Sequence, residues 1–149
     1  MAREQVENPV TCALAVIVPG RRVLLAHPTG ANYVNGWTLP KGIKEPSETE
    51  AEAAARECFE ETGLDLRERA GKLRDHGRFK YQPHKDYHLF SVHLADEVPL
   101  ARLKCESMFI SNMIFYPEVD AFTYIRLDQA HMLLSRRQGK IWEAVWNQL

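Results

Sequence analysis

Three glutamates, Glu57, Glu60 and Glu61, stand three and four residues apart, a spacing that gathers carboxylates on one face of a helix turning about 100° per residue. Like charges one turn apart cost an isolated helix roughly 0.2–0.5 kcal/mol per pair. A position near a helix C-terminus adds to that penalty, because the dipole there is negative. A hard dication offsets both: Mg²⁺ prefers oxygen ligands in octahedral geometry, takes a few of them from protein and leaves the rest to water and substrate phosphates. The chemistry that such a cluster supports is metal-assisted attack of water on phosphorus. A solvated acidic face is the commoner fate of an arbitrary carboxylate cluster, so the surrounding residues must decide between the two.

The element that positions these glutamates is predicted as a helix over residues 48–62. Ser47 is its N-cap, with Glu50 three residues on in capping-box spacing, and Gly63 is its stop. Ala51, Ala54, Ala55 and Cys58 fill the opposite side; such small residues let a helix backbone approach a sheet closely and turn the acidic face outward. Sheet strands are predicted at 11–18 and 22–26, paired around Pro19-Gly20, and as a short extended piece at 37–39 after a loop rich in Gly and Asn. A second hairpin is expected from 74–81 and 87–94, joined through Gln82-Pro83-His84-Lys85-Asp86. Further strands are read at 108–115 and 121–127. Asp128 is expected to cap a last helical region in which Leu133, Leu134, Ile141, Trp142, Val145 and Trp146 recur at helical spacing around a charged interruption at Arg136-Arg137.

Nineteen basic and twenty acidic residues in 149 give a net charge of -1, so no global field draws the chain to duplex nucleic acid or an anionic membrane. Phosphate recognition must be local. Cys12, Cys58 and Cys105 are odd in number and lack C-x-x-C spacing, which argues against a disulfide framework or structural zinc and fits a reducing cytoplasm. The segment 1–8 lacks an apolar signal-peptide core, and the run 13–18 is too short to cross a bilayer; no export signal or anchor is expected. One domain over 1–149 is the expected organisation.

The context of the glutamates favours chemistry. Gly42, five residues, Glu48, seven residues, then Arg56-Glu57-Cys58-Phe59-Glu60-Glu61-Thr62-Gly63-Leu64 resembles the complete signature box of the Nudix hydrolases. The one departure is Cys58, where the family carries Leu, Ile or Val; free cysteine behaves as a small hydrophobe. The resemblance implies an α/β fold, a Nudix α/β/α sandwich with a mixed sheet, in which the box forms a loop-helix-loop catalytic unit. It implies further that Glu57, Glu60 and Glu61, with the backbone carbonyl of Gly42, bind Mg²⁺, or Mn²⁺ in its place. Arg56 and Glu48 are implied as the groups that orient the ligands.

The reaction implied is hydrolysis of a diphosphate linkage in a nucleoside diphosphate joined to a further group. Glu60 and Glu118 are both candidates for the general base. The lead-in Trp37-Thr38-Leu39-Pro40-Lys41-Gly42 resembles Nudix members acting on dinucleoside polyphosphates, inositol pyrophosphates or nucleoside triphosphates, with dinucleoside polyphosphates slightly favoured and cleansing of triphosphates second. A nucleotide-sensing module without turnover is the alternative from another class. Lys41, Lys44, Arg78, Lys80 and Lys85 are possible phosphate partners, and Tyr33, Tyr81 and Tyr87 possible stacking groups for a base. His84 is the histidine singled out, although H-E-x-x-H spacing is absent.

Overall fold

The computed structural model describes residues 7–149; the expectation about the N-terminal segment falls largely on residues outside this range. Its central strand is β1, Val10–Val18, buried at every position. A strand can be buried throughout only when both faces are covered, and here they are. Cys12, Leu14 and Val16 pack with Ala53, Ala54 and Cys58 of α1 (Glu50–Thr62). Ala13, Ala15 and Ile17 point the other way, into a cluster with Ile141, Trp142 and Val145 of α2 (Arg136–Val145). The result is the α/β/α sandwich expected.

The remaining strands are β2 (Arg22–Pro28), β3 (Lys41–Ile43), β4 (Arg74–Gln82), β5 (Lys85–His93), β6 (Met108–Ser111), β7 (Ile114–Pro117) and β8 (Val119–Arg126). The sheet runs β4-β5-β1-β2-β8, with β3 paired to β1, while β6 and β7 form a separate two-stranded sheet. Strand β1 lies parallel to β5 and antiparallel to β2 and β3, so the sheet is mixed.

One feature of this sheet creates the site. Strands β1 and β2 are paired only at Ile17 and Val18, and toward the other end of β1 they part. The segment 38–43 fills the opening: Thr38 exchanges backbone hydrogen bonds with Ala26 of β2, the Leu14 N–H donates to the Pro40 carbonyl, and β3 takes up Thr11, Cys12 and Ala13. Gly42 is thereby fixed in the split, beside α1.

Several boundaries differ from the sequence reading. The helix starts after Thr49, not Ser47: the Thr49 hydroxyl accepts from the Glu52 N–H while the Glu52 carboxylate accepts from the Thr49 N–H. Two overlapping capping boxes were available, and Arg78 with Glu50 at 2.7 Å removes Glu50 from the competition. The piece 37–39 makes isolated bridges, and the paired strand falls at β3. The strand read over 108–115 is the hairpin β6–β7, turned at Asn112 and Met113, both at positive φ, the geometry of a two-residue hairpin turn. Asp128 caps no helix; a short 3₁₀ turn at Ala130–Met132 intervenes, and α2 begins at Arg136 instead of being interrupted there.

Candidate active site

Helix α1 ends where expected, with Gly63 in the left-handed conformation (φ 79°) and its N–H donating to the Phe59 carbonyl. The last two turns carry the acidic residues, but not on a uniformly solvated face. Glu60 is the most open member, half-buried, whereas Glu57 is largely covered and Glu61 is buried, 6% exposed. The outward acidic face read from the helical wheel is therefore corrected for Glu61. Its carboxylate reaches under the helix into the sheet split and accepts the Lys41 N–H at 2.8 Å.

Glu57 lies directly against Gly42. A Cβ at position 42 would stand 2.0 Å from the Glu57 Cδ and 2.1 Å from its Oε1, so glycine is needed there for space. Left-handed backbone is not the reason, since Gly42 is not among the glycines at positive φ.

Arg56 organises the other carboxylates. Its Nε and Nη2 donate to both Glu48 oxygens at 2.9 and 2.8 Å, its Nη1 donates to Glu57 at 2.9 Å and Glu60 at 3.1 Å, and Nη2 also reaches the Ile43 carbonyl at 3.1 Å. The bidentate fork fixes Glu48, whose other tie is the Glu45 N–H at 2.9 Å. One guanidinium thus fastens the helix to the loop before it and to the end of β3.

Glu118 completes the group from a distant part of the chain. Its backbone N–H donates to the Ser107 carbonyl and its carboxylate accepts from the Ser107 hydroxyl at 3.2 Å. Ser107 in turn donates its N–H to the Glu60 carbonyl at the end of α1. Nothing near Ser107 in the sequence marks it, because its role depends on the β6–β7 hairpin returning the chain to the same place.

The electrostatics follow from this packing. Burial raises the Glu57 pKa to about 7, with Glu60 and Glu118 adding repulsion and Arg56 opposing it. Burial also raises Glu61 to about 8, against the Lys41 N–H and with Glu57 and Glu118 adding to the rise. Glu48 is shifted the other way, chiefly by its hydrogen bonds from Arg56. Two covered carboxylates held near Glu118, with one guanidinium for several anions, form a site that favours a further cation. Glu57, Glu60, Glu61 and the Gly42 carbonyl are hard oxygen donors of the kind Mg²⁺ takes. Among the described residues no three acidic, histidine or cysteine side chains are close enough to enclose an ion as they stand; Arg56 holds Glu57 and Glu60, and Glu61 is turned to Lys41.

The structure separates the other candidates. Tyr87 is buried with its hydroxyl donating to Gln138, and cannot stack on a base. Tyr81 packs against it with ring centroids 5.0 Å apart. Tyr33 is 61% exposed, its ring stacked 3.7 Å from that of His27. Arg78 is engaged by Glu50. His84 is exposed in the β4–β5 turn, and all three cysteines are free.

The family model described as the NUDIX domain matches residues 8–143. The chain belongs to the Nudix family. It is 41% identical over 92 residues to an uncharacterized 17.7 kDa protein of Enterobacteria phage T4 from the e-segB intergenic region, an alignment spanning 60% of each protein. Its fold is similar to that of the MutT protein from Methanosarcina mazei, with a TM-score of 0.65 at 17% identity over 99% of this chain and 97% of that one. A C. elegans Ap4A hydrolase matches with a TM-score of 0.58 at 19% identity, over 90% and 93% of the two chains. Among the described residues no helix is long and apolar enough to cross a membrane.

Proposed function

We propose that this Nudix hydrolase is a single-domain, Mg²⁺-dependent pyrophosphohydrolase that splits a diphosphate linkage in a nucleoside diphosphate joined to a further group, with Mn²⁺ able to substitute. The observation that carries the reading is the Glu57 carboxylate seated against the Cα of Gly42 beside the buried Glu61. Glu57, Glu60, Glu61 and the Gly42 carbonyl would hold the cation. Bound there, it would neutralise phosphate oxygens and acidify a coordinated water.

The protein's own residues supply position and proton transfer. Arg56 and Glu48 orient the carboxylates through their fork, which keeps the donor set from collapsing or drifting. Glu60, half-buried on the helix, and Glu118, steadied by Ser107, are the two candidates for the general base within this group. Dinucleoside polyphosphates are the favoured substrate, supported by the 37–42 lead-in and by likeness to a protein named an Ap4A hydrolase.

The test is a turnover screen with Mg²⁺ over dinucleoside polyphosphates, nucleoside triphosphates and nucleotide sugars, with products identified. Dinucleoside polyphosphate cleavage is expected, and Glu57→Gln and Glu61→Gln each lose at least about 100-fold. Triphosphate cleavage alone would favour the pool-cleansing reading, and tight binding without product the sensing one. Full activity in both variants would remove the site assignment. Comparing pH–rate profiles of Glu60→Gln and Glu118→Gln identifies the base, since only loss of the base abolishes the acidic limb.

A further inference from the structure

Helix α2 turns Ile141, Trp142 and Val145 into the core, and one helical turn before them Gln138, 2% exposed, shares their face. An apolar residue would fill that place at no desolvation cost, and a buried amide is tolerated there only if its hydrogen bonds are met. They are met in full. The Gln138 Oε1 accepts from the Leu39 N–H at 3.3 Å and the Tyr87 hydroxyl at 2.9 Å, and its Nε2 donates to the Thr38 Oγ1 at 2.7 Å and the Ser135 Oγ at 3.1 Å. Thr38 and Leu39 belong to the segment that leads into the acidic site. The Trp37 N–H donates to the Leu133 carbonyl and the Thr38 N–H to the Ala26 carbonyl, but those of Leu39 and Lys41 donate to side chains, Gln138 of α2 and Glu61 of α1. The lead-in is thus slung between helices that cover opposite faces of the sheet. Pro40, between the two, has no N–H and a φ fixed at about −65°, so a shift of Leu39 toward or away from α2 carries through to Lys41 and Gly42.

We infer that Gln138 is a positioning residue for the carboxylates of α1. Its amide sets how far the lead-in stands from α2, and so where Glu61 meets the Lys41 N–H and how closely Gly42 admits Glu57. Its hydrogen bonds go to none of the proposed cation donors, so the influence passes through the backbone of the lead-in. The consequence for metal binding rests on the reading of Glu57, Glu61 and the Gly42 carbonyl as those donors.

Gln138→Met keeps the length and burial of the side chain and removes its hydrogen bonds. Amide hydrogen exchange resolved by NMR and titration calorimetry with Mg²⁺ alone, both at one pH, read the effect without reference to turnover. Exchange at Leu39 and Lys41 is expected to quicken about 10-fold relative to the amides of β1, and Mg²⁺ affinity to fall about 10-fold. Tyr87→Phe removes one bond from the same amide but none from the lead-in, and leaves both readouts at their wild-type values. Thr38→Val loses only the hydroxyl that the Gln138 Nε2 grips; it moves both readouts in the same direction by about 3-fold, and decides the matter if Gln138→Met does not fold. The inference is overturned if Leu39 and Lys41 exchange as in wild type in the Gln138 and Thr38 variants, if Tyr87→Phe quickens them equally, or if they exchange faster while Mg²⁺ affinity holds. A wild-type chain that takes up no Mg²⁺ sinks the proposed reaction instead, and the exchange rates alone then decide whether Gln138 fixes the lead-in.

Discussion

Replacing Gly42 by alanine perturbs one contact. The added Cβ would lie 2.0 Å from the Glu57 Cδ, whereas ordinary contact begins at about 3.4 Å, so the carboxylate must retreat by about 1.4 Å, the difference of the two. A misplacement of about 1 Å in a reacting constellation costs about 100-fold in rate, or about 2.7 kcal/mol of barrier. The fold should tolerate the change. The clashing atoms are the end of a side chain, and an off-rotamer glutamate costs about 0.5–1.5 kcal/mol, while alanine in a strand recovers about 0.5–1 kcal/mol over glycine. The assay is kcat/KM with Mg²⁺ on the best substrate from the screen, alongside thermal denaturation. The expected result is a loss of about 100-fold with a midpoint within about 4 °C of wild type. Because both substitutions act on one carboxylate, the Gly42→Ala, Glu57→Gln double variant should lose no more than Glu57→Gln alone. Gly42→Ala with near wild-type kcat/KM, or a double variant in which the losses multiply, would refute the reasoning.

Arg56→Lys keeps the charge but not the fork that grips Glu48 while reaching Glu57, Glu60 and the Ile43 carbonyl; activity is expected to fall about 10- to 100-fold, and metal titration should show the apparent Mg²⁺ affinity falling with it. Glu57 and Glu61 have raised folded-state pKa values, about 7 and 8 against an ordinary 4.5. The folded protein therefore holds their protons where the unfolded chain has released them, and without a divalent cation this contribution to stability is complete below pH 4.5 and lost as pH rises through 7 to 8. Cation binding favours the ionised pair, so the rise in thermal midpoint on adding Mg²⁺ should be small below pH 4.5 and largest above pH 8; a rise independent of pH would contradict the assignment.

The features legible in the sequence were those set within a few residues. Gly63 ends α1 because a helix terminus favours a left-handed residue, and β1 reads as a strand because its run is dense in apolar and β-branched residues. The box places Arg56 one turn from Glu60 by helical geometry alone, and their 3.1 Å contact follows. The helix start is not legible because Ser47 and Thr49 both present capping-box spacing, and the ion pair of Glu50 with Arg78, a residue of β4, belongs to the tertiary structure. The 108–115 segment reads as one strand because the two-residue turn at Asn112-Met113 lacks the glycine that usually announces one.

Sequence alone therefore determined that Glu57, Glu60 and Glu61 stand together near the end of one helix. Tertiary structure decided that Glu61 faces inward, that Lys41 offers it a backbone N–H, that Gly42 leaves room for Glu57, and that Ser107 brings Glu118 to the helix end. The physical reason is range. Helix spacing and end capping are fixed by neighbours in the chain, whereas the parting of β1 from β2 around residues 38–43 arises only when strands remote in sequence pair, and their register sets the depth of each carboxylate and hence its charge.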